Sequence, residues 1–227
     1  MNIVIIGPGK DPKRFGSYFS NKATEDGHTV HKFSYRIVPE LSDPELIQKE
    51  FSQFLEDKGQ IDLLLYNCIG GFYPGHASEY ISGHKVKFEE WHTGIMINAA
   101  MPHMFSLIAL EHMNDKSGIV FMTSSASYLI NRNNYLELAG YFGTKGAMNQ
   151  LGRSLAEYND KNAMVSIFAP HIPYENEEEA QVVMQSLYEK ATNLTRYDSG
   201  KIIEFYPPFA QPTYFNNDGK HEIQPKK

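Results

Sequence analysis

Tyr141 and Lys145 are the two residues whose types and spacing most directly suggest chemistry in this chain. They stand four positions apart at the start of a run of helix formers, so a helix places both side chains on one face, one turn apart. An ammonium beside a phenol favours the phenolate and lowers the tyrosine pKa from its ordinary value of about 10. Such a phenol can exchange a proton with a carbonyl or alcohol oxygen. The alternative is a chance pair on a helix surface, so the rest of the chain must decide.

The composition is that of one water-soluble domain. The chain has 227 residues, of which 41% are hydrophobic and 21% charged, and this suits a single α/β domain. A net charge of −6 argues against a nucleic-acid-binding surface, which needs a dense basic face. Cys68 is the only cysteine, which excludes an intramolecular disulfide and suits a reducing compartment.

The sequence also lacks the patterns of a membrane or targeting segment and of a metal site. We find no apolar run approaching the roughly 20 residues of a membrane span and no signal-peptide pattern, so we expect a cytoplasmic protein without a membrane partner. The nine histidines are scattered and form no group at metal-ligand spacing, so no metal site is predicted.

A strand, a glycine-rich turn and a helix follow one another near the N-terminus. Residues 3–6 form an apolar run typical of a parallel strand covered on both faces, and the helix begins at about residue 15. Glycines let backbone amides approach a pyrophosphate, and the helix N-terminus adds a favourable dipole. Nine positions separate the first glycine from the last, more than in the usual fingerprint, so a plain connecting loop is the alternative. The candidate cofactor-binding residues here are Gly7, Gly9, Arg14, Phe15 and Gly16.

The end of the second predicted strand, residues 29–34, indicates which nicotinamide cofactor is bound. A carboxylate at this position binds the ribose 2′-hydroxyl, whereas an arginine suits a 2′-phosphate because its forked donors bind phosphate in pairs. Arg36 occupies the position, and Lys10, Lys13 and Arg14 surround the glycine loop. The pattern therefore predicts NADP(H) rather than NAD(H), with a solvated basic loop as the alternative.

The rest of the chain alternates between strands and helices. Only six residues separate Arg36 from Asp43, where the next helix begins, so residues 38–41 can supply at most a very short strand and one crossover helix is predicted to be missing. The alternation predicts a doubly wound, mainly parallel, Rossmann-like sheet in one domain over residues 1–206. Residues 207–227 lack periodicity and are predicted to form an extended or partly disordered C-terminal extension. The further predicted elements are helix 45–58, strand 61–66, helix 88–113, strand 119–122, the helix that carries Tyr141, strand 164–168, helix 175–191 and strand 202–206.

Polar or glycine-rich positions follow directly after several of these strands. Asn67 and Gly70 follow strand 61–66, Ser124 follows strand 119–122, and Pro170 follows strand 164–168. Ligands of open α/β sheets bind beyond the carboxyl ends of the strands. We therefore expect these positions to line the site. Asn98 lies within an apolar helix, where its amide must be hydrogen-bonded.

Taken in order, these landmarks resemble the short-chain dehydrogenase/reductase family over residues 2–206. The resemblance implies that Tyr141 is the general acid/base and that Lys145 lowers its pKa and binds the nicotinamide ribose. It also implies that Ser124 holds the substrate oxygen and that Asn98 anchors a water linking Lys145 to bulk solvent. The implied reaction is hydride transfer between NADP(H) and a small carbonyl or alcohol substrate.

The same resemblance extends the cofactor site and suggests an assembly. It implies that Glu40 lies near the adenine and that the backbone around Ile172 faces the nicotinamide carboxamide. A homodimer or homotetramer is implied, formed through the long helices that carry Asn98 and Tyr141. The cofactor-binding set is then Gly7, Gly9, Arg14, Phe15, Gly16, Arg36, Glu40, Asn67, Gly70, Lys145, Pro170 and Ile172.

Several departures from the family pattern leave alternatives open. Seventeen positions separate Ser124 from Tyr141, more than is usual in the family, so Ser125 is an alternative partner of the substrate. His171 replaces the usual glycine, and the glycine loop is long. These features keep open an NADP(H)-binding sensor or scaffold without meaningful turnover. An isomerase or dehydratase of the same fold is a third reading.

Overall fold

The computed structural model describes residues 1–9, 14–35, 43–68, 88–125, 139–170, 177–205, 213–215 and 221–223. Within these ranges the strands are β1 (Asn2–Ile6), β2 (Thr29–Phe33), β3 (Leu63–Tyr66), β4 (Gly118–Met122), β5 (Met164–Pro170), β6 (Ile202–Phe205), β7 (Thr213–Phe215) and β8 (His221–Ile223). The α-helices are α1 (Phe15–Glu25), α2 (Pro44–Glu56), α3 (Phe88–Ile95), α4 (Met101–Leu110), α5 (Ala139–Tyr158) and α6 (Glu177–Thr192). A π-helical turn (Met96–Ala100) joins α3 to α4, and a 3₁₀ helix (Arg196–Asp198) follows α6.

The eight strands form one sheet in the order β2-β1-β3-β4-β5-β6-β7-β8. The first six strands run parallel to their neighbours, whereas β7 and β8 are antiparallel additions at one edge. Because β1 lies between β2 and β3, the direction of winding reverses there, as in a doubly wound sheet. The predicted Rossmann-like α/β fold class is confirmed.

The sheet is short on the side of β2. Among the described strands β2 is the outer one, and the chain leads from it to α2 and then to β3 on the other side of β1. A full doubly wound half would carry another strand beyond β2. Among the described strands, the predicted shortening between the second strand and the next helix is thus confirmed.

Local sequence explains how α2 begins. The Asp43 carboxylate accepts hydrogen bonds from the backbone N–H groups of Glu45 and Leu46, at 2.9 and 3.3 Å. Pro44 takes the first helical position, where its missing N–H has no cost. A strong N-cap directly after the short connection fixes where the helix starts.

The sheet is covered by two separate hydrophobic clusters, one on each face. Along β1, Val4 and Ile6 point into the cluster that contains Phe51 of α2, whereas Ile3 and Ile5 point into the other cluster. Helices α2, α4 and α5 cover the first face, and α1 and α6 cover the second. Burial on both faces explains why these strands read as unbroken apolar runs.

The long helix expected over residues 88–113 differs in one respect from the prediction. It is interrupted by the π-helical turn, in which the Met101 N–H donates to the Met96 carbonyl five residues earlier. Pro102 explains the interruption, because it has no N–H to continue the ladder and its ring crowds the carbonyl four residues earlier.

The same helical stretch corrects the expectation that no apolar run in the chain approaches the length of a membrane span. His92–Leu110 is long and apolar enough to cross a membrane, by length and composition only. Its inner side nevertheless lies in the core, where Phe105 is fully buried with its ring centroid 4.5 Å from that of Phe51. A core helix of a soluble domain has this same pattern.

The C-terminal extension contributes to the sheet. Its two described segments are β7, which pairs with β6, and β8, which pairs with β7. The rest of the predicted extension, residues 207–212, 216–220 and 224–227, lies outside the described residues.

Candidate active site

The site lies where four neighbouring parallel strands end. Gly7 follows β1, Asn67 follows β3, Ser124 follows β4, and Pro170 is the last residue of β5. Because these strands are adjacent and parallel, their carboxyl ends meet at one edge of the sheet. The topology therefore brings together four positions that are far apart in the sequence.

Lys145 is the central charged group of this edge. It lies on α5 and is 1% exposed. Its Nζ donates to the carbonyl oxygens of Met122, at 2.9 Å, and Cys68, at 3.2 Å, which stand at the ends of β4 and β3. Burial lowers the pKa of Lys145 to about 8, while its interaction with Cys68 acts in the opposite direction. The side chain is therefore an ammonium at neutral pH, fixed by two backbone oxygens.

Asn98 lies beside the same helix. It belongs to the π-helical turn and is fully buried. Its Nδ2 donates to the hydroxyl of Thr144 at 3.0 Å, and Thr144 immediately precedes Lys145 on α5. The fold thus places the buried amide directly against the turn of α5 that carries the lysine.

Ser124 and Ser125 differ in exposure. Ser125 is buried at 3% exposure, whereas Ser124 is partly exposed at the end of β4. A hydroxyl that contacts substrate must be reachable from outside the core. Of the two serines, Ser124 meets this requirement better.

The glycine loop is held against the end of β3. Gly7 has φ of +70° and Gly9 has φ of +74°, conformations that favour glycine. The Asn67 Nδ2 donates to the Gly7 carbonyl at 3.0 Å. A Cβ on Gly7 would lie 2.5 Å from the Cys68 sulfur, and a Cβ on Gly16 would overlap Asn67 and the Pro8 carbonyl. Both glycines are therefore required for the close packing of this loop.

Helix α1 begins directly after this loop. Arg14 is its extended N-cap residue, and the Arg14 carbonyl accepts the Tyr18 N–H at 3.0 Å. Phe15, the first helical residue, stacks edge-on against Phe19, with the ring centroids 5.6 Å apart. The first turn of α1 thus stands beside the glycines, as a pyrophosphate site needs.

Other predicted site residues lie outside the described part of the chain. Tyr141 belongs to the first turns of α5 by its backbone, but its side chain lies outside the described residues. The positions Arg36, Glu40, Gly70 and Ile172 also lie outside them.

A chain of buried hydroxyl groups was not predicted from the sequence. The Tyr66 hydroxyl at the end of β3 donates to the Ile97 carbonyl in the π-helical turn, at 2.5 Å. The Tyr35 hydroxyl is hydrogen-bonded to that of Tyr66. Burial raises the pKa of both phenols, so both remain neutral. The one available signal was a tyrosine at the end of an otherwise aliphatic strand, which needs a partner for its hydroxyl when buried.

Comparison with known proteins adds a family to this geometry. A family model described as enoyl-(acyl carrier protein) reductase matches residues 17–172, more than half of the chain. Comparison with curated proteins finds no significant match.

Solved structures of similar fold cover nearly the whole chain. A short-chain dehydrogenase/reductase from Serratia marcescens is 16% identical, with a TM-score of 0.69 over 92% of this chain and 96% of its own. A short chain dehydrogenase from Salmonella enterica subsp. enterica serovar Typhi is 16% identical, with a TM-score of 0.67 and the same coverage. The promiscuous reductase LugOII, which catalyses a keto-reduction in lugdunomycin biosynthesis, is 17% identical, with a TM-score of 0.65 over 88% of this chain and 94% of its own.

Proposed function

Because the chain belongs to the short-chain dehydrogenase/reductase family, a family of oxidoreductases that bind nicotinamide cofactors, we propose that it is an NADP(H)-dependent oxidoreductase. Its reaction is hydride transfer between the nicotinamide and a small carbonyl or alcohol substrate, with Tyr141 as acid/base. The observation that carries this proposal is the buried ammonium of Lys145, held by the Met122 and Cys68 carbonyls one helical turn from Tyr141.

The glycine loop fits a dinucleotide. Gly7 and Gly9 have positive φ angles that residues with side chains rarely adopt, and an added Cβ on Gly7 or Gly16 would overlap neighbouring atoms. These residues, with Arg14 and Phe15, would hold the pyrophosphate at the N-terminus of α1, where the helix dipole favours negative charge. Lys145 would bind the nicotinamide ribose. When bound, the nicotinamide supplies or accepts the hydride.

The chain's own residues manage the proton and the substrate oxygen. Tyr141 gives a proton to the oxygen during reduction and takes it back during oxidation. The ammonium of Lys145 stabilises the phenolate that remains, which lowers the Tyr141 pKa toward neutral pH. Ser124 donates a hydrogen bond to the same oxygen, and its exposure supports this role over Ser125. Asn98 anchors a water that returns protons to Lys145.

The choice of NADP(H) over NAD(H) rests on charge. In the sequence Arg36 follows the second strand, where an arginine suits a 2′-phosphate, and Lys10, Lys13 and Arg14 add positive charge to the glycine-loop segment. The keto-reduction catalysed by LugOII, a protein of similar fold, is in line with a carbonyl substrate.

Tyr141→Phe tests the acid/base assignment. The variant keeps the ring and removes the proton, so kcat for NADPH-dependent carbonyl reduction should fall by about 10²- to 10⁴-fold. The dissociation constant for NADPH should stay near that of the native protein. Tyr158→Phe is the matched control, because Tyr158 is on the same helix, is 83% exposed and should keep full activity.

A fully active Tyr141→Phe enzyme would refute the proposed acid/base. Tight NADPH binding by the native protein without turnover of any aldehyde or ketone in a broad panel would instead indicate a cofactor-binding sensor or scaffold.

We also propose that the protein is cytoplasmic and forms a homodimer or homotetramer through its long helices. Ile95 of α3 and Leu107 of α4 are 48% and 49% exposed, an apolar surface that a second copy would cover. Leu107→Glu should reduce the mass measured by sedimentation. Leu46→Glu, at a 52% exposed position on α2, is the control and should leave that mass unchanged.

A further inference from the structure

We propose that Tyr66 is a positioning residue: its hydroxyl holds the π-helical turn so that Asn98 stays against Thr144 beside Lys145. The inference rests on the proposed function for its effect on activity. Its structural part concerns a hydrogen bond that can be tested without any substrate.

The π-helical turn leaves the Ile97 carbonyl in need of a donor. In an α-helix this carbonyl would accept the N–H of residue 101. Here the Met101 N–H donates to Met96 instead. The next residue along is Pro102, which has no N–H to offer. A partly buried carbonyl deprived of both backbone partners is costly unless another group donates to it.

Tyr66 supplies that donor from the neighbouring strand. Its hydroxyl lies 2.5 Å from the Ile97 carbonyl oxygen, and its side chain is fully buried. The ring packs between Phe105 of α4 and Phe121 of β4, with centroid distances of 6.2 and 6.4 Å. The phenol is therefore fixed by packing on the helix side and on the sheet side.

Counting protons gives the direction of the hydroxyl chain. A phenol has one proton, and Tyr66 donates its proton to Ile97. The hydrogen bond between Tyr35 and Tyr66 must then use the proton of Tyr35. Burial also raises the pKa of the Cys68 thiol, so it too remains protonated. The Tyr35 hydroxyl thus orients the oxygen of Tyr66, and the Tyr66 hydroxyl holds the Ile97 carbonyl of the π-helical turn.

The turn transmits this restraint to the candidate active site. Asn98 directly follows Ile97, and its amide reaches the Thr144 hydroxyl at 3.0 Å. Thr144 is covalently adjacent to Lys145, whose ammonium is held at the ends of β3 and β4. Without the bond from Tyr66, the turn can relax to satisfy Ile97 in another way, and Asn98 moves with it.

Tyr66→Phe is the direct test, because it removes the hydroxyl and keeps the ring. We expect kcat for carbonyl reduction to fall about ten-fold or more, since small misplacements of catalytic groups are costly. The KM for NADPH should change less than two-fold, because the hydroxyl that is removed donates to the Ile97 carbonyl and not to Gly7 or Gly9.

Tyr188→Phe is the matched control for this variant. Tyr188 is also a buried phenol with one side-chain partner, Asp26, at 2.7 Å, and it lies on α6 on the opposite face of the sheet. Tyr188→Phe should lower the midpoint of unfolding as Tyr66→Phe does, but it should leave kcat for carbonyl reduction unchanged. Equal kcat values for the two variants would overturn the proposal.

A second variant separates positioning from simple packing. Pro102→Ala restores an N–H that the backbone of the π-helical turn can use. Tyr66→Phe should then lower the unfolding midpoint less in the Pro102→Ala background than in the native one. Additive losses, or failure of Tyr66→Phe to fold in both backgrounds, would overturn the proposal. If Tyr66→Phe folded only when combined with Pro102→Ala, this would support the proposal.

These measurements distinguish the two hypotheses. If the native protein reduces no carbonyl substrate, the proposed function fails, and the midpoint comparison alone decides whether Tyr66 holds the turn. If the native enzyme is active and the midpoint losses are additive, the positioning role fails and the proposed function stands.

Discussion

The ammonium of Lys145 lies 2.9 Å from the carbonyl oxygen of Met122, the last residue of β4. This bond ties α5 to the carboxyl edge of the parallel sheet, where ligands of such sheets bind. A buried cation is costly unless several groups bind its protons. The fold meets this requirement with backbone oxygens from two adjacent strands, since Cys68 after β3 also accepts.

The pH dependence of stability tests the burial of Lys145. Its pKa is about 8 in the folded state against an ordinary value of 10.5. Between these values the unfolded state binds more protons than the folded state, so stability rises with pH across this window. One pKa unit corresponds to about 1.4 kcal/mol, so the gain is roughly 3 kcal/mol.

The measurement is urea unfolding of the native protein and Lys145→Met from pH 7.5 to about 10.5. The difference in unfolding free energy should move in favour of the native protein above pH 8. Other tyrosines and lysines titrate in both proteins and cancel in the difference. A difference independent of pH would mean that the lysine is not held in a dry site.

Gly16→Ala tests the packing of the glycine loop. The added Cβ overlaps the Pro8 carbonyl and Asn67, and backbone cannot move aside as a flexible side chain can. We expect a loss of about 1–3 kcal/mol in unfolding free energy and a marked loss of NADPH affinity. Both are measurable by denaturant titration and cofactor fluorescence.

Gly59→Ala provides the comparison for this substitution. Gly59 has φ of +65° but nothing lies within 4 Å of an added Cβ. The unfolding free energy of Gly59→Ala should fall by about 1–2 kcal/mol, because alanine is strained in the left-handed conformation, and its NADPH affinity should be unchanged. If Gly16→Ala and Gly59→Ala bound NADPH equally well, the glycine loop would not be part of the cofactor site.

The cofactor preference can be read from thermal shifts. At equal concentration NADPH should raise the unfolding temperature more than NADH, because tighter binding stabilises the folded state more. Arg36→Ala should remove this difference. Lys32→Ala, which removes an exposed positive charge from β2, should preserve it. Equal shifts by the two cofactors in the native protein would argue against the role of Arg36.

Strongly periodic and apolar segments were predictable from the sequence. The runs 3–6 and 119–122 became β1 and β4 with one added residue at the start of each, because buried parallel strands leave a continuous apolar signature. The missing crossover was readable from chain length alone, because residues 37–42 are too few to hold a helix and a strand.

The contacts that organise the site were not predictable in the same way. Asn98 and Thr144 are 46 positions apart, and Lys145 and Cys68 are 77 apart, so no local pattern links them. The π-helical turn did leave a local signal in Pro102, but the apolar periodicity around it continues unbroken. Tyr66 read as one more buried strand residue, because only its partner in another element reveals the task of its hydroxyl.

The central claim is that the chain directs a hydride between a nicotinamide and a carbonyl carbon while Tyr141 delivers the proton. NADPH deuterated at the nicotinamide C4, offered with a panel of aldehydes and ketones, tests it most directly. The account predicts deuterium on the carbinol carbon of the alcohol formed by the native protein, and at least about a 10²-fold slower appearance with Tyr141→Phe. Absence of deuterium from every product of the native protein, with NADPH bound, would contradict it.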